Sequence, residues 1–561
     1  MRLVPFARAG IAVLVPLLAV AVPARAQGGP WVLTNVRIET VTRGVIERGT
    51  VVIRDGLIAA VGADVAVPAD ARVLDLAGKT VLPAFIDLTS SLGLASTPAP
   101  SAGGRPGAGA AAAASAGAEA TPVGLEPYRV VADELRPAAA DVKAERDAGF
   151  GAVLSAPNRG AFRGLSALVP LRDSAAALAL IRSPVALHMG FQPVAGRYPG
   201  TLLGVIAYER QAFYDAQRQG ALLDRYHASP RGMERPASDR RLNALVPVVR
   251  GELPVLFAAN NENEIRRAVA MAREFNLALT VVGATEGFRA LDALQANRRP
   301  VVVSVDFPRA PEVTGWTFRA GIRHAPDDSA AADSAARRVI EGNAAALNNA
   351  GLRVVLASGG VLRPAEFLAN VRKAIAAGLP RDVALEALTI RPAEIAGAAD
   401  QLGSIEAGKV ANLVVTDGDL LGDSAKVGAV FVDGVRYEVI APAAPARGGT
   451  RGAVGAGAEA SAQVGGGWTV TVTTPQGSQA MTMTLAQSGD AFTGTMTSEM
   501  GSLAVADGQI AGRTVTWSVT VPMGGQTMVV NFHGEIDGTH MRGTAELGAM
   551  GSAPFTAEKN P

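Results

Sequence analysis

Between Gly149 and Gly397, six short apolar runs alternate with helical patterns, and this alternation constrains the fold more than any other feature of the chain. The runs are "GAVLSAP" from 151, "PVALHMG" from 184, "LPVLFAA" from 253, "ALTVVGA" from 278, "RPVVVSVDF" from 299 and "RVVLASGG" from 353. Each is apolar on both faces, which suits a parallel sheet covered on both sides. Helical stretches separate them. In "NENEIRRAVAMAREFN" from Asn261, for example, Ile265, Val269 and Ala272 recur at helical spacing while Arg and Glu take the other face. A strand followed by a helix, repeated, predicts a (β/α) barrel or a doubly wound sheet, and periodicity alone does not choose between them.

Two stretches interrupt this pattern. Ser96 to Gly124 and Ala441 to Gly467 are Ala, Gly and Pro with almost no large apolar side chain, so neither can form a packed core. The first reads as an insertion in a loop and the second as an interdomain linker. Beyond it, from Trp468, alternating Thr/Val/Met runs with Gly-rich turns predict an all-β accessory domain, a small up-and-down barrel or a sandwich.

Residues 1–26 carry Arg2 and Arg8, an apolar middle from Ile11 to Val22, and Ala24-Arg25-Ala26. This layout predicts a cleaved secretory leader and a periplasmic or secreted protein with no membrane span after cleavage. Without the three leader arginines the formal charge moves from +1 to about −2, so no basic excess suggests nucleic acid. There are no cysteines, which excludes disulfides, thiolate metal ligands and a cysteine nucleophile.

The flanks of the alternating region read as short strands. Asp55-Gly56 before it and Asp433-Gly434 after it mark hairpin turns. The segments "AGKTVLPAFID", "ALEALTIRPAEIAG" and "LGSIEAGKVANLVVTDGD" resemble the amidohydrolase superfamily over residues 31–440, and within it the imidazolonepropionase-like branch. That resemblance implies an α/β fold. A (β/α)8 TIM-like barrel over 81–401 would sit beside a small composite β-sandwich built from 31–80 and 402–440, followed by the linker 441–467 and the all-β domain 468–561.

The family activity implied is hydrolysis of C–N bonds by one or two divalent metals. The metals are held by a His-x-His pair ending the first strand, histidines ending the fifth and sixth, and an aspartate ending the eighth. Imidazole and carboxylate suit zinc because they leave a position for a water whose pKa the metal lowers. Aligned here, the pair falls on Thr89 and Ser91 in "TVLPAFIDLTSSLGL", with Asp87 retained before them. The fifth-strand histidine falls on Ala258, the sixth on Gly283 and the eighth-strand aspartate on Gly359. None of these binds zinc well, and no lysine falls on a candidate barrel strand. The expectation is therefore no metal and no cofactor.

Other candidates are weaker. His188 ends "PVALH", and Asp306 in "SVDFP" sits where an acid or base could act, although strand-end His and Asp are more often structural. Thr89, Ser91, Asn260 and Ser358 are the expected lining of a ligand pocket. The leading reading is a catalytically impaired, exported amidohydrolase-like protein that binds a small molecule or pairs with an active amidohydrolase. An active C–N hydrolase with a nonstandard site and a structural or surface-binding protein are the alternatives.

Overall fold

The computed structural model describes residues 30–94, 124–173, 180–194, 198–307, 317–319, 322–324, 336–360, 364–422 and 425–439. It also describes 463–560 apart from 475–476, 490, 499–500, 512, 524–525 and 547–551. The leader 1–26, all but the last residue of the insertion 96–124, and most of the linker 441–467 lie outside these residues. Contacts group the chain into two units, up to Pro442 and from Ala443 onward.

The first unit opens with β1 (Trp31–Glu39), β2 (Val45–Arg54), β3 (Leu57–Gly62), β4 (Arg72–Asp75) and β5 (Thr80–Pro83). The barrel strands follow as β6 (Phe85–Asp87), β7 (Phe150–Ser155), β8 (Phe162–Leu165), β9 (Ala167–Pro170), β10 (Leu187–Gly190), β11 (Val255–Ala259), β12 (Leu279–Gly283) and β13 (Val301–Ser304). A short antiparallel pair, β14 (Thr317–Arg319) and β15 (Ile322–His324), precedes β16 (Val354–Ala357). The unit ends with β17 (Leu413–Thr416), β18 (Val427–Val432) and β19 (Val435–Glu438).

The two flanks form one sheet in the order β19-β18-β17-β5-β1-β2-β3, with β4 also paired to β1. The ladder is continuous, joined where β17 runs antiparallel to β5 from Leu413–Pro83 to Thr416–Thr80, and it curls onto itself so that Trp31 of β1 meets Phe431 of β18 at a ring distance of 6.3 Å. Leu33, Ile38, Val51, Ile53, Val81, Leu413 and Phe431 form its core. Both Asp-Gly turns adopt positive φ at both residues, 54° and 82° at Asp55-Gly56 and 49° and 75° at Asp433-Gly434, the geometry of a two-residue hairpin. They also touch: a Cβ on Gly434 would stand 2.8 Å from Gly56 Cα, so only glycine permits the approach.

The barrel has eight wall positions. β6 and β7 are parallel, as are β10, β11, β12, β13 and β16. The third position departs from the predicted (β/α)8 pattern, because β9 runs antiparallel to β7 while β8, directly before it in the chain, runs antiparallel to β10. Only residues 156–161 separate β7 from β8, too few for the helical crossover that a parallel neighbour requires.

Side chains alternate across the wall. Leu187, Met189, Val255 and Phe257 pack outward with Val205, Phe213 and Ile265 of the covering helices. Ile86, Leu154, Leu256, Val302 and Val355 fill the interior. The helix Glu262–Phe275 starts at a capping box of Asn261 and Glu264, and the helix Leu202–Ala228 is capped by Thr201 Oγ1.

The second unit is a closed up-and-down barrel of β20 (Gly466–Thr474), β21 (Gly477–Ser488), β22 (Ala491–Ser498), β23 (Gly501–Ala511), β24 (Thr514–Met523), β25 (Gln526–Asp537), β26 (His540–Glu546) and β27 (Ser552–Lys559). Closure comes from β20 pairing with β27, which leaves no open edge. Trp517 stacks on Phe532 at 4.8 Å inside it, with Phe492 and Phe555 at its edges.

Candidate functional site

Among the described residues no ladder joins β16 to β6, so the wall is open there by backbone pairing, and a knot of side chains closes it. Asp87 is fully buried at the end of β6. Its Oδ1 accepts from Thr89 N at 3.2 Å, Thr89 Oγ1 at 2.9 Å and Ser358 N at 3.1 Å, and its Oδ2 accepts from Ser358 Oγ at 2.6 Å. The two hydroxyls then accept backbone donors in turn, Thr89 Oγ1 from Gly359 N at 2.9 Å and Ser358 Oγ from Gly360 N at 3.1 Å. Each hydroxyl thus donates to the acid and accepts from the chain, which satisfies a buried carboxylate without a cation.

The same geometry sets where the first strand ends. Thr89 and Ser91 do not stand side by side on an extended strand, because β6 ends at Asp87, whose side chain captures the Thr89 N–H and turns the chain. Ser91 lies outside the knot, its carbonyl accepting from Leu94 N at 3.1 Å. Asn260 follows β11 and is exposed. Its Oδ1 accepts from Thr285 Oγ1 at 3.3 Å and its N–H donates to Glu264 Oε2 at 2.8 Å. Of the four expected pocket residues, the fold therefore joins Thr89 and Ser358, places Asn260 beside Thr285, and leaves Ser91 apart.

Asp306 is exposed after β13, and its N–H donates to Ser304 Oγ at 3.1 Å. It borders the knot, since a Cβ on Gly359 would stand 3.1 Å from Asp306 Cβ. His188 points into the barrel from β10, buried, with no hydrogen-bond partner at Nε2. Burial, with a smaller contribution from Arg163, drops its pKa to about 3, so it is neutral at neutral pH.

Three groups escaped the sequence reading. Glu145, on the helix Ala139–Asp147, is buried, and its pKa rises to about 8 through burial first and then the Asp87 and Asp141 charges. Arg163 on β8 is half-buried. Glu209 is fully buried on the helix Leu202–Ala228, with both carboxylate oxygens unpartnered and its pKa raised well above the usual range by burial. A signal for Glu209 was present: with Val205 and Phe213 it occupies successive four-residue steps along one apolar stripe.

The residues at the family's ligand positions do not fit a metal. Among the described residues no group of three or more His, Asp or Glu side chains could hold one. Gly283 and Gly359 have positive φ, and a Cβ would stand 2.2 Å from Asn260 Oδ1 at the first and 2.2 Å from Ser304 Oγ at the second. A histidine or aspartate there has to strain the backbone and displace a neighbour.

Residues 258–441 match the profile of the amidohydrolase family. No curated protein sequence matches the chain. Among solved structures, an amidohydrolase from Thermotoga maritima MSB8 is 23% identical and aligns over 73% of this chain and 100% of its own, with a TM-score of 0.57. A prolidase complexed with N-methylphosphonate-L-proline is 18% identical over 73% and 99%, TM-score 0.42, and a molinate hydrolase 17% over 76% and 99%, TM-score 0.41. The match to the amidohydrolase family thus rests on residues 258–441, and the likeness to the Thermotoga maritima structure is one of fold.

Proposed function

We propose that the protein is a catalytically impaired amidohydrolase relative whose barrel mouth binds a small-molecule ligand, on its own or beside an active amidohydrolase. The family reaction is hydrolysis of C–N bonds, which needs an activated water and a base to take its proton. The observation that carries the reading is the Asp87 knot. Four donors from Thr89 and Ser358 occupy the acid retained from the family pattern, three on Oδ1 and one on Oδ2, so it is held as part of the wall. Gly283 and Gly359 remove two further ligand positions, and a side chain restored at either would strain the backbone and displace Asn260 or Ser304.

The layout of residues 1–26 supports export to the periplasm or beyond, and no helix of the described residues is long and apolar enough to cross a membrane. Mass spectrometry of exported protein tests the leader by finding Gln27 at the mature N-terminus. The impaired reading is tested by elemental analysis after preparation with zinc or manganese, followed by assays on cyclic amides and dipeptides. Absence of stoichiometric metal and of turnover is expected, and histidines introduced at 89 and 91 leave both unchanged. One tightly bound metal per chain with chelator-sensitive turnover would replace this reading with that of an active hydrolase, with Asp306 and His188 first in line for its acid and base.

A further inference from the structure

Across the barrel from the knot, β8 and β10 hold a second set of polar groups that hydrogen bonding leaves unfinished. Phe162 packs outward, so Arg163 on β8 faces the interior. Its guanidinium reaches the carboxyl end of β10, where a Cβ on Gly190 would stand 2.3 Å from Arg163 Nη2 and 3.4 Å from Ala258 Cβ. Glycine at 190 is what admits the guanidinium. Ala258 is the position aligned with the family's fifth-strand histidine, so a fixed cation stands beside the place where that pattern expects a metal ligand.

No direct ion pair neutralises this cation among the described residues. Arg163 Nε donates to Gly160 O at 3.1 Å, and among the described residues the side chain forms no ion pair. The acid whose charge acts on it, Glu209, is fully buried without hydrogen bonds, and burial holds it toward its neutral form. His188, across the ladder from Gly164, is neutral, and its Nε2 has no partner. Burial draws the arginine's own pKa down to about 10, which still leaves it charged at neutral pH. A half-buried cation without a direct ion-pair partner costs free energy, and a ligand from outside the chain could offset that cost.

We propose that Arg163 anchors a carboxylate-binding site at the mouth of the barrel, and that the ligand is a small organic acid. The planar fork of a guanidinium matches two carboxylate oxygens. The mouth is also where barrels of this kind present ligand contacts. Asn260 and Thr285, at the adjacent strand ends, offer neutral partners for an amide or hydroxyl on the same molecule. The proposal rests on the reading that the barrel mouth binds a ligand, and it names that ligand's class.

The test is isothermal titration of the full mature chain with acetate, benzoate, N-acetylglycine, the neutral N-acetylglycinamide and inorganic phosphate. N-acetylglycine is expected to bind at least about tenfold more tightly than its amide, with Arg163→Gln abolishing the preference and Arg163→Lys keeping part of it. Circular dichroism checks that Arg163→Gln folds. If it does not, Gly190→Ala decides, because the added methyl displaces the guanidinium and keeps the charge, so acid binding should fall while the fold remains.

Equal binding of acid and amide, acid binding indifferent to both variants, a preference for phosphate, or no binding of any of the three carboxylates overturns the proposal. These outcomes are distinct from failure of the impaired-enzyme reading, which metal content and turnover decide on the same protein.

Discussion

The two buried polar regions around the barrel wall make opposite use of burial. At the seam every oxygen of Asp87 is occupied and both hydroxyls both donate and accept, so the group replaces the ladder that β6 and β16 lack. At the far wall His188 Nε2 and both oxygens of Glu209 are buried without partners. The first arrangement stabilises the barrel, since a satisfied network in a low-dielectric interior is strong. The second costs stability, and unfinished polarity of that kind concentrates where proteins bind something.

The sharpest way to break the contrast is to remove the acid. Asp87→Ala leaves the Ser358 N–H, the Ser358 hydroxyl and the Thr89 N–H facing a void. The expected loss is about 4 kcal/mol, from about 1–3 kcal/mol per abandoned buried donor and partial relaxation. Urea unfolding of the first unit's signal measures it. A loss no larger than that of a surface substitution would mean that the seam is closed by other contacts.

The next effect is a pH dependence that the knot imposes on its neighbour. Glu145 has a folded pKa of about 8 against 4.5 for the unconstrained group, so the folded state holds the extra proton between those values. Stability therefore falls as pH rises from 4.5 and levels off above 8, with on the order of 3 kcal/mol lost by pH 7. Glu145→Gln removes this slope. Asp87→Ala shallows it, because the Asp87 charge is one of its causes. Unfolding curves at several pH values check both, and an unchanged slope in Glu145→Gln would assign the dependence to another group, Glu209 first.

These two regions also mark how far the sequence could be read. All six apolar runs are strands, and the helix starts at Thr201 and Asn261 are where capping residues place them, because periodicity and capping are local. The hairpins at Asp55-Gly56 and Asp433-Gly434 are local as well; their contact is not, and nothing in either turn announces it. β8 and β9 escaped because "AFRGLSALVP" carries an arginine within an apolar run and no following helix to mark it as a barrel strand. The position-by-position comparison with the family pattern pointed to Thr89 and to Gly359, which follows Ser358. It did not find that Asp87 ties them together, since a hydrogen bond across 271 positions leaves no trace in spacing. Arg163 was invisible for the same reason, its meaning depending on Gly190 and Ala258 from two other strands.

A smaller effect tests the far wall. His188 has a folded pKa of about 3 and an unfolded one of 6.5, so the unfolded state binds the proton first as pH falls, and stability drops from 6.5 downward. About 2 kcal/mol is lost by pH 5. His188→Leu should recover that loss at pH 5 while changing stability at pH 7 by under about 1 kcal/mol, since the leucine buries no unpaired nitrogen. Thermal unfolding at the two pH values separates the outcomes. A large loss at pH 7 would show that His188 is satisfied after all and that the contrast between the two regions is false.

The smallest expected effect divides the knot itself. Thr89→Val keeps the branched shape and deletes one hydroxyl, taking one donor from Asp87 Oδ1 and one acceptor from Gly359 N–H. Asp87 Oδ1 keeps two donors, the N–H groups of residues 89 and 358, and Gly359 N–H lies in an exposed position where water can replace the lost partner. The cost should therefore be about 1 kcal/mol. Ser358→Ala strips the buried Oδ2 of its single donor within the knot and leaves Gly360 N–H without Oγ, so it should cost more, about 2 kcal/mol. Urea unfolding orders the pair, and hydrogen exchange at the Gly359 and Gly360 amides reports which bond was lost. If Thr89→Val proves the more costly, the hydroxyl aligned with the family's first histidine, and not the one on β16's end, holds the seam, and the closure of the barrel would have to be assigned to Oδ1 instead of Oδ2.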